Sequence, residues 1–293
     1  MSFHDSNIEA LLACASGTVR DRLWMWSHPT GSYNTAPYKT KWPFSDYGFS
    51  KTSRMTPAEG ALYLGLPNVM FVRYSGRPLP AGFDSVARTL RPFKRIIWAI
   101  NISPRRKGPA QFSWTSIDEE EHNVIRRLLE RYPNLVGVIL DDYFKNPGEK
   151  RVAKGAAEIQ ALKRTFGRAQ LWDALYTRDI GSTAREHYDL LDGITVWTRE
   201  AADLPKLESN FEKLSRMLPR TRKILGCYLW DYLGEKGPIP MTLMKHQCEL
   251  GLHWLKTRQI EGICFIASNM CDMEVEAVEW TRRWVERVGE ERI

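Results

Sequence analysis

The chain has 293 residues, 43% of them hydrophobic and 26% charged, with a net charge of +7 and a pI near 9.1. It holds no apolar run near the ~18 residues of a membrane span, and its basic residues alternate with acidic ones instead of forming a basic stripe, so neither a membrane nor a nucleic acid is expected as a partner. Five cysteines, an odd number with no CxxC pair, fit reduced thiols in a cytoplasmic protein better than a disulfide framework.

Residues 1–20 lack a basic n-region, and Glu9 interrupts their short apolar stretch. They read as a short helix packed on one end of the domain, not as a signal peptide. A first strand-like run, Leu23–Trp26, leads into a long connection, residues 27–55, carrying Tyr33, Tyr38, Trp42, Phe44, Tyr47 and Phe49. A loop of that length and aromatic content is expected to be functional. Further apolar runs follow at Asn68–Tyr74 and Arg95–Asn101. Ser116 and Glu119 then form a capping box ahead of Val124, Ile125, Leu128 and Leu129 at helical spacing. Runs at Val136–Asp142, Gln170–Tyr176 and Gly193–Trp197 precede an apolar stripe of Leu204, Leu207, Phe211, Leu214 and Leu218. Lys223–Asp231, a stripe from Met244 to Leu255, Gly262–Ser268 and a last helix with Val275, Val278, Trp280 and Val285 complete the pattern.

Eight strand–helix rounds predict one closed parallel (β/α)₈ barrel, a TIM barrel forming a single domain. A doubly wound sheet would need a phosphate-binding glycine turn after the first strand. The chain there reads Ser27-His28-Pro29-Thr30-Gly31, which is neither GxGxxG nor GxxxxGK[ST].

Barrel chemistry sits where strands end, and the long 27–55 loop is expected over that face. The exits present His28 and Asn34 in the first loop, Arg73 after strand two, Asn101 after strand three, and Asp141, Asp142 and Tyr143 after strand four. Tyr176 ends strand five, Trp197 and Glu200 follow strand six, Trp230 and Asp231 end strand seven, and Asn269 follows strand eight. Asp141 and Asp142 cap the apolar run Val136–Leu140. Alternation sends one of them into the barrel mouth and the other outward, where it caps a helix or holds a loop. Which one faces inward stays open at this level. Asp231 is placed nearly across the barrel, either as a second working carboxylate or in a structural salt bridge, with Asp173 and Glu200 in reserve. Trp26, Tyr74, Tyr143, Tyr176, Trp197, Tyr228 and Trp230 crowd the same face and suit a flat, polar ligand. No HxxxH or HxH spacing joins His28 to the acids, so neither a metal nor another cofactor is expected, and no GxSxG points to a serine nucleophile.

This arrangement resembles the (β/α)₈ glycoside hydrolases and related carbohydrate-processing barrels. The likeness spans nearly the whole chain and rests on Asp141-Asp142, Asp231 and Trp197. The chitinase-type signature DxxDxDxE is absent, since Gly137 to Phe144 reads GVILDDYF, and no Asn-Glu pair on strand four is matched by a Glu on strand seven. The resemblance implies a carbohydrate substrate and hydrolysis by paired carboxylates drawn from Asp141, Asp142 and Asp231. It implies sugar binding by His28, Asn34, Arg73, Asn101, Tyr143, Tyr176, Trp197, Glu200, Trp230 and Asn269. A metal-dependent sugar isomerase or lyase and a non-catalytic carbohydrate-binding barrel are the alternatives.

Overall fold

A computed structural model describes residues 17–32, 47–49, 51–74, 76–100, 119–141, 155–180 and 185–293. Asn34, Asn101, Asp142 and Tyr143 lie outside the described residues, as do Ser116 of the expected capping box and most of the expected N-terminal helix.

Eight parallel strands close into a barrel. They are β1 (Leu23–Ser27), β2 (Asn68–Phe71), β3 (Arg95–Ile100), β4 (Leu135–Leu140), β5 (Gln170–Tyr176), β6 (Gly193–Trp197), β7 (Arg222–Tyr228) and β8 (Gly262–Ile266). Each pairs with its neighbours in chain order, and β8 closes the ring onto β1. Strands covered on both faces have no polar side to display, which is why most read as continuous Val, Ile, Leu and Trp runs.

Two tryptophans fix which side of each strand faces inward. The rings of Trp26 and Trp197 meet at 5.1 Å although β1 and β6 are not neighbours, so both project into the barrel. Tyr176 is in register with Trp197, Trp172 with Ile139, and Gln170 with Gly137. All of these therefore share the inward row, and Asp141, two residues beyond Ile139, continues it. The rings of Trp172 and Trp197 lie flat over the neighbouring strands, where a Cβ on Gly193 or Gly226 would stand 2.3 or 2.1 Å from them.

The opposite faces pack on the helices α1 (Pro57–Tyr63), α2 (Phe83–Thr89), α3 (Glu119–Arg131), α4 (Gly155–Phe166), α5 (Arg185–Tyr188), α6 (Leu207–Met217), α7 (Met241–Lys256) and α8 (Glu276–Val288). Outward Trp98 fits between Phe71 and Phe83 at 4.5 and 5.2 Å, and Phe265 meets Trp284 of α8 at 6.1 Å. A capping box opens α1, with Thr56 Oγ1 accepting from Glu59 N at 3.2 Å and Glu59 accepting from Thr56 N at 2.8 Å. Cys227, Cys248, Cys264 and Cys271 are buried free thiols. Among the described residues no helix is long and apolar enough to cross a membrane.

Several boundaries differ from the sequence reading. Residues 17–20 are not helical in the expected way: Thr18 bridges to Arg292, Val19 N donates to Glu291 O at 2.8 Å, and a 3₁₀ turn spans Arg20–Arg22. Asp21 accepts from Thr18 N at 3.0 Å and caps that turn. The second strand stops at Phe71 because Tyr74 bridges to Arg77 across a tight turn containing Gly76, which has φ 72°. The seventh barrel strand ends at Tyr228, not at Asp231. Trp230–Asp231 instead pairs antiparallel with Gly237–Pro238 in a small hairpin. The eighth strand ends at Ile266, and Ser268–Met270 form a 3₁₀ turn.

Candidate functional site at the barrel mouth

Among the described residues the C-terminal ends of the strands gather an aromatic mouth, with Asp141 at the end of β4. Asp141 is the first residue past β4 and is half-buried. Trp197 lies edge-on between Trp26 and Tyr228, at 5.1 and 5.3 Å, and its indole N–H donates to Thr195 Oγ1 at 2.8 Å. Tyr176 closes β5, and its ring carries the Arg199 guanidinium at 4.9 Å.

His28 is buried below the rim, 5% exposed. Desolvation lowers its pKa to about 4, so the ring is neutral at neutral pH. Its Nδ1 lies 3.0 Å from the Val72 carbonyl, which requires the proton on Nδ1 and leaves Nε2 as the acceptor nitrogen. Its ring edge meets Tyr74 at 5.7 Å.

The described part of the long first connection lies over this mouth. Tyr47 meets Tyr232 at 5.1 Å, and its carbonyl accepts from Trp230 Nε1 at 2.8 Å. Its hydroxyl is hydrogen-bonded to Tyr74, with Arg199 and Tyr228 close enough to act on it electrostatically. Burial among these groups raises the pKa of Tyr47. The segment therefore reaches from the β7 side of the mouth to the β2 side. Phe49 packs on Trp230 at 4.5 Å and anchors it.

The remaining predicted residues have structural employment. Arg73 forms a buried ion pair with Glu121 of α3, the two side chains 8% and 1% exposed, and donates to Gly76 O at 2.7 Å. Trp230 holds the Tyr47 segment. Asn269 is fully buried and donates to Ser32 O at 2.8 Å, which fixes the start of the first loop, while its Oδ1 has no partner. Asp231 accepts from Gly234 N at 3.0 Å and Glu235 N at 3.1 Å, one bond to each carboxylate oxygen. Asp173 alternates with Trp172 and so lies on the outward side of β5, fully buried and away from the mouth. Glu200 precedes the 3₁₀ turn Ala201–Lys206, with its carbonyl accepting from Asp203 N at 3.0 Å.

The mouth-side position after β6 belongs to Arg199, which the sequence reading passed over. Its signal was the two-residue spacing from inward Trp197. Tyr47, a second member of the mouth, had no signal beyond its place in an aromatic loop. Among the described residues no three His, Cys, Asp or Glu side chains come together to hold a metal ion.

No family model matches the chain, and no curated protein matches its sequence. Solved structures match it over most of its length. A chitinase from Chromobacterium violaceum ATCC 12472 superposes with a TM-score of 0.53 at 10% identity, covering 90% of this chain and 98% of that one. A β-galactosidase from the psychrophilic Marinomonas ef1 gives a TM-score of 0.59 at 11% identity, over 91% of this chain and 59% of the other. A family 18 chitinase from Crocus vernus gives 0.50 at 13% identity, over 91% and 98%. At these identities the likeness establishes a shared barrel fold.

Proposed function

We propose that the protein is a glycan-processing enzyme of glycoside hydrolase type, with Asp141 as the proton donor at the barrel mouth. What supports this reading is the position of Asp141: by alternation it continues the inward row of β4 above an apolar strand, at the end of the barrel that carries Trp197, Tyr176, Tyr228 and Tyr47. An apolar floor disfavours the charged form of a carboxyl group, which suits a general acid. Tyrosine rings offer flat faces for sugar C–H groups and hydroxyls for sugar oxygens, and Arg199 adds a donor fork. The matched barrels, two chitinases and a β-galactosidase, are in keeping with this chemistry.

Asp231 is a poor second carboxylate in this scheme. Both of its oxygens accept backbone N–H groups. We assign it to closing the hairpin that sets Trp230 and Tyr232 against Tyr47 and Phe49. The alternation that turns Asp141 inward disfavours its neighbour Asp142 as the second carboxylate, and none is assigned.

The test is turnover on a panel of chitin-derived oligosaccharides and β-galactosides, followed by release of reducing sugar. Asp141→Asn should lower turnover at least ~100-fold, the scale of lost general acid catalysis, while the variant stays folded. Activity should survive EDTA. Loss on chelation, restored by one divalent ion, would favour the isomerase or lyase reading instead. One observation favours a binding barrel: among the described residues Asp141 is the single carboxylate in the inward row at the mouth. Saturable sugar binding by the wild-type protein with no hydrolysis across the panel would establish that reading.

A further inference from the structure

The opposite end of the barrel carries a second, independent cluster. The inward row begins there with Trp24, Arg95, Gln170 and Arg222, which line a cleft of about 350 Å³ of empty space, part of it open to solvent. Each arginine is stacked on a tryptophan: Arg95 over Trp24 at 4.7 Å and Arg222 over Trp172 at 5.1 Å. Stacking holds the two guanidinium planes in fixed orientations.

Counting donors and acceptors shows an imbalance. Glu261 is the one carboxylate lining the cleft, and both of its oxygens pair with Arg222, through Nε at 2.5 Å and through Nη2. Gln170 Oε1 is taken by Trp172 Nε1 at 3.1 Å. Arg95 donates from Nε to Asn68 Oδ1 at 3.0 Å and from Nη2 to the Asp21 carbonyl. Among the described residues no acceptor pairs with Nη1 of either arginine or with the amide of Gln170. Trp24 adds a further donor: its side chain is 2% exposed and its Nε1 has no hydrogen-bond partner. A Cβ at Gly262 would stand 3.0 Å from both Cδ1 and Nε1 of that ring, so the glycine makes room for the indole. Burial lowers the pKa of Arg95 to about 10, with repulsion from Arg22 and Arg222 offset in part by attraction to Glu261 and Asp21.

We propose that this N-terminal cleft is a binding site for a small oxyanion of phosphate size, held by Arg95, Arg222 and the Trp24 indole N–H. Every unused group in the cleft is an N–H donor, so the ligand must supply acceptor oxygens, and the net charge calls for an anion. The Nη1 groups of two guanidinium ions and one indole N–H suit the oxygens of a tetrahedral oxyanion. The oxyanion can arrive free or as the head of a phosphomonoester, because one side of the cleft is open.

The experiment is thermal unfolding of the full chain against increasing inorganic phosphate, with ionic strength held constant by chloride. A parallel titration uses glycerol 2-phosphate. The site predicts a saturable rise in Tm, about 3 °C or more when the phosphate concentration reaches ~100 times Kd, with no matching rise in chloride alone. A comparable rise with the ester shows that the open side admits a phosphomonoester; a rise with inorganic phosphate only shows a site for the free ion. Trp24→Phe keeps the ring and removes one N–H, and should weaken phosphate binding about tenfold, the loss of a hydrogen bond to a charged group. Arg222→Lys keeps the charge, removes the Nη1 group and should weaken it by a similar factor. In the wild-type protein the Trp24 indole proton resonance should also move with phosphate, a readout that needs no variant. The proposal is overturned if phosphate and chloride act alike, or if phosphate binds both variants as tightly as the wild-type protein.

Discussion

The two ends of this barrel grow from the same inward row of side chains but treat charge in opposite ways. At the C-terminal end, among the described residues, loops and helices bring partners to Arg73, His28 and Asp231. Glu121 neutralises Arg73, Val72 receives the His28 proton, and the hairpin amides take up Asp231. Asp141 stands in that mouth as an inward acid. At the N-terminal end the connections are short, and donors outnumber acceptors around Arg95, Arg222 and Trp24. The difference teaches that a barrel's periodicity sets which residues meet, while the connections decide which of them stay available for chemistry.

The largest effect on stability should come from the buried ion pair at the mouth. Glu121→Ala strands the Arg73 guanidinium and is expected to cost about 3–5 kcal/mol in urea unfolding. A loss under about 1 kcal/mol would show that the C-terminal end does not depend on internal charge pairing.

His28 gives the next effect, and its sign is fixed. The folded state holds its pKa at about 4 against an ordinary 6.5, so the unfolded chain takes up the proton first as pH falls. This contribution to stability is fully present above pH 6.5 and is lost as pH drops toward 4, on the order of 3 kcal/mol in all. Denaturation midpoints at pH 7 and pH 4 should differ less in His28→Gln than in the wild-type protein. An equal difference in both proteins would place the ring in contact with water.

Gly226→Ala drives a methyl group into the Trp197 ring and should destabilise the protein by about 1–3 kcal/mol, with a changed near-ultraviolet circular dichroism spectrum. Gly237→Ala, where nothing stands within 4 Å of the new Cβ, is the control and should leave the spectrum unchanged. The smallest effect sharpens the distinction between the two aspartates. Asp231→Asn weakens one of two hairpin hydrogen bonds, should cost about 1 kcal/mol, and should lower turnover far less than the ~100-fold expected at Asp141. An equal loss at both positions would restore Asp231 as a catalytic partner.

The barrel was legible because burial on both faces leaves continuous apolar runs, and eight of them alternate with helical stripes. Strand ends were harder to read. Tyr228 to Asp231 stays apolar and aromatic past the point where β7 stops, and the turn that stops it depends on two backbone amides three and four residues beyond Asp231. The apolar run beneath Asp141 marked its place at a strand end, but assigning it to the inward row needed the register with β5. Arg73 and Asn269 looked like ligand groups because their partners, Glu121 and Ser32, are far away in sequence. Nothing in the linear sequence sets Arg95 and Arg222 apart, and only the closed ring brings them into one cleft.

The most direct test of the central claim is a crystal structure of the Asp141→Asn variant with an oligosaccharide that the wild-type protein cleaves. The account predicts sugar rings lying against Tyr176, Trp197 or Tyr228 beneath the Tyr47 segment, with a glycosidic oxygen about 3 Å from the side chain at position 141, within reach for proton transfer. An oligosaccharide seated elsewhere, or one whose glycosidic oxygens all lie beyond hydrogen-bond reach of position 141, would contradict it.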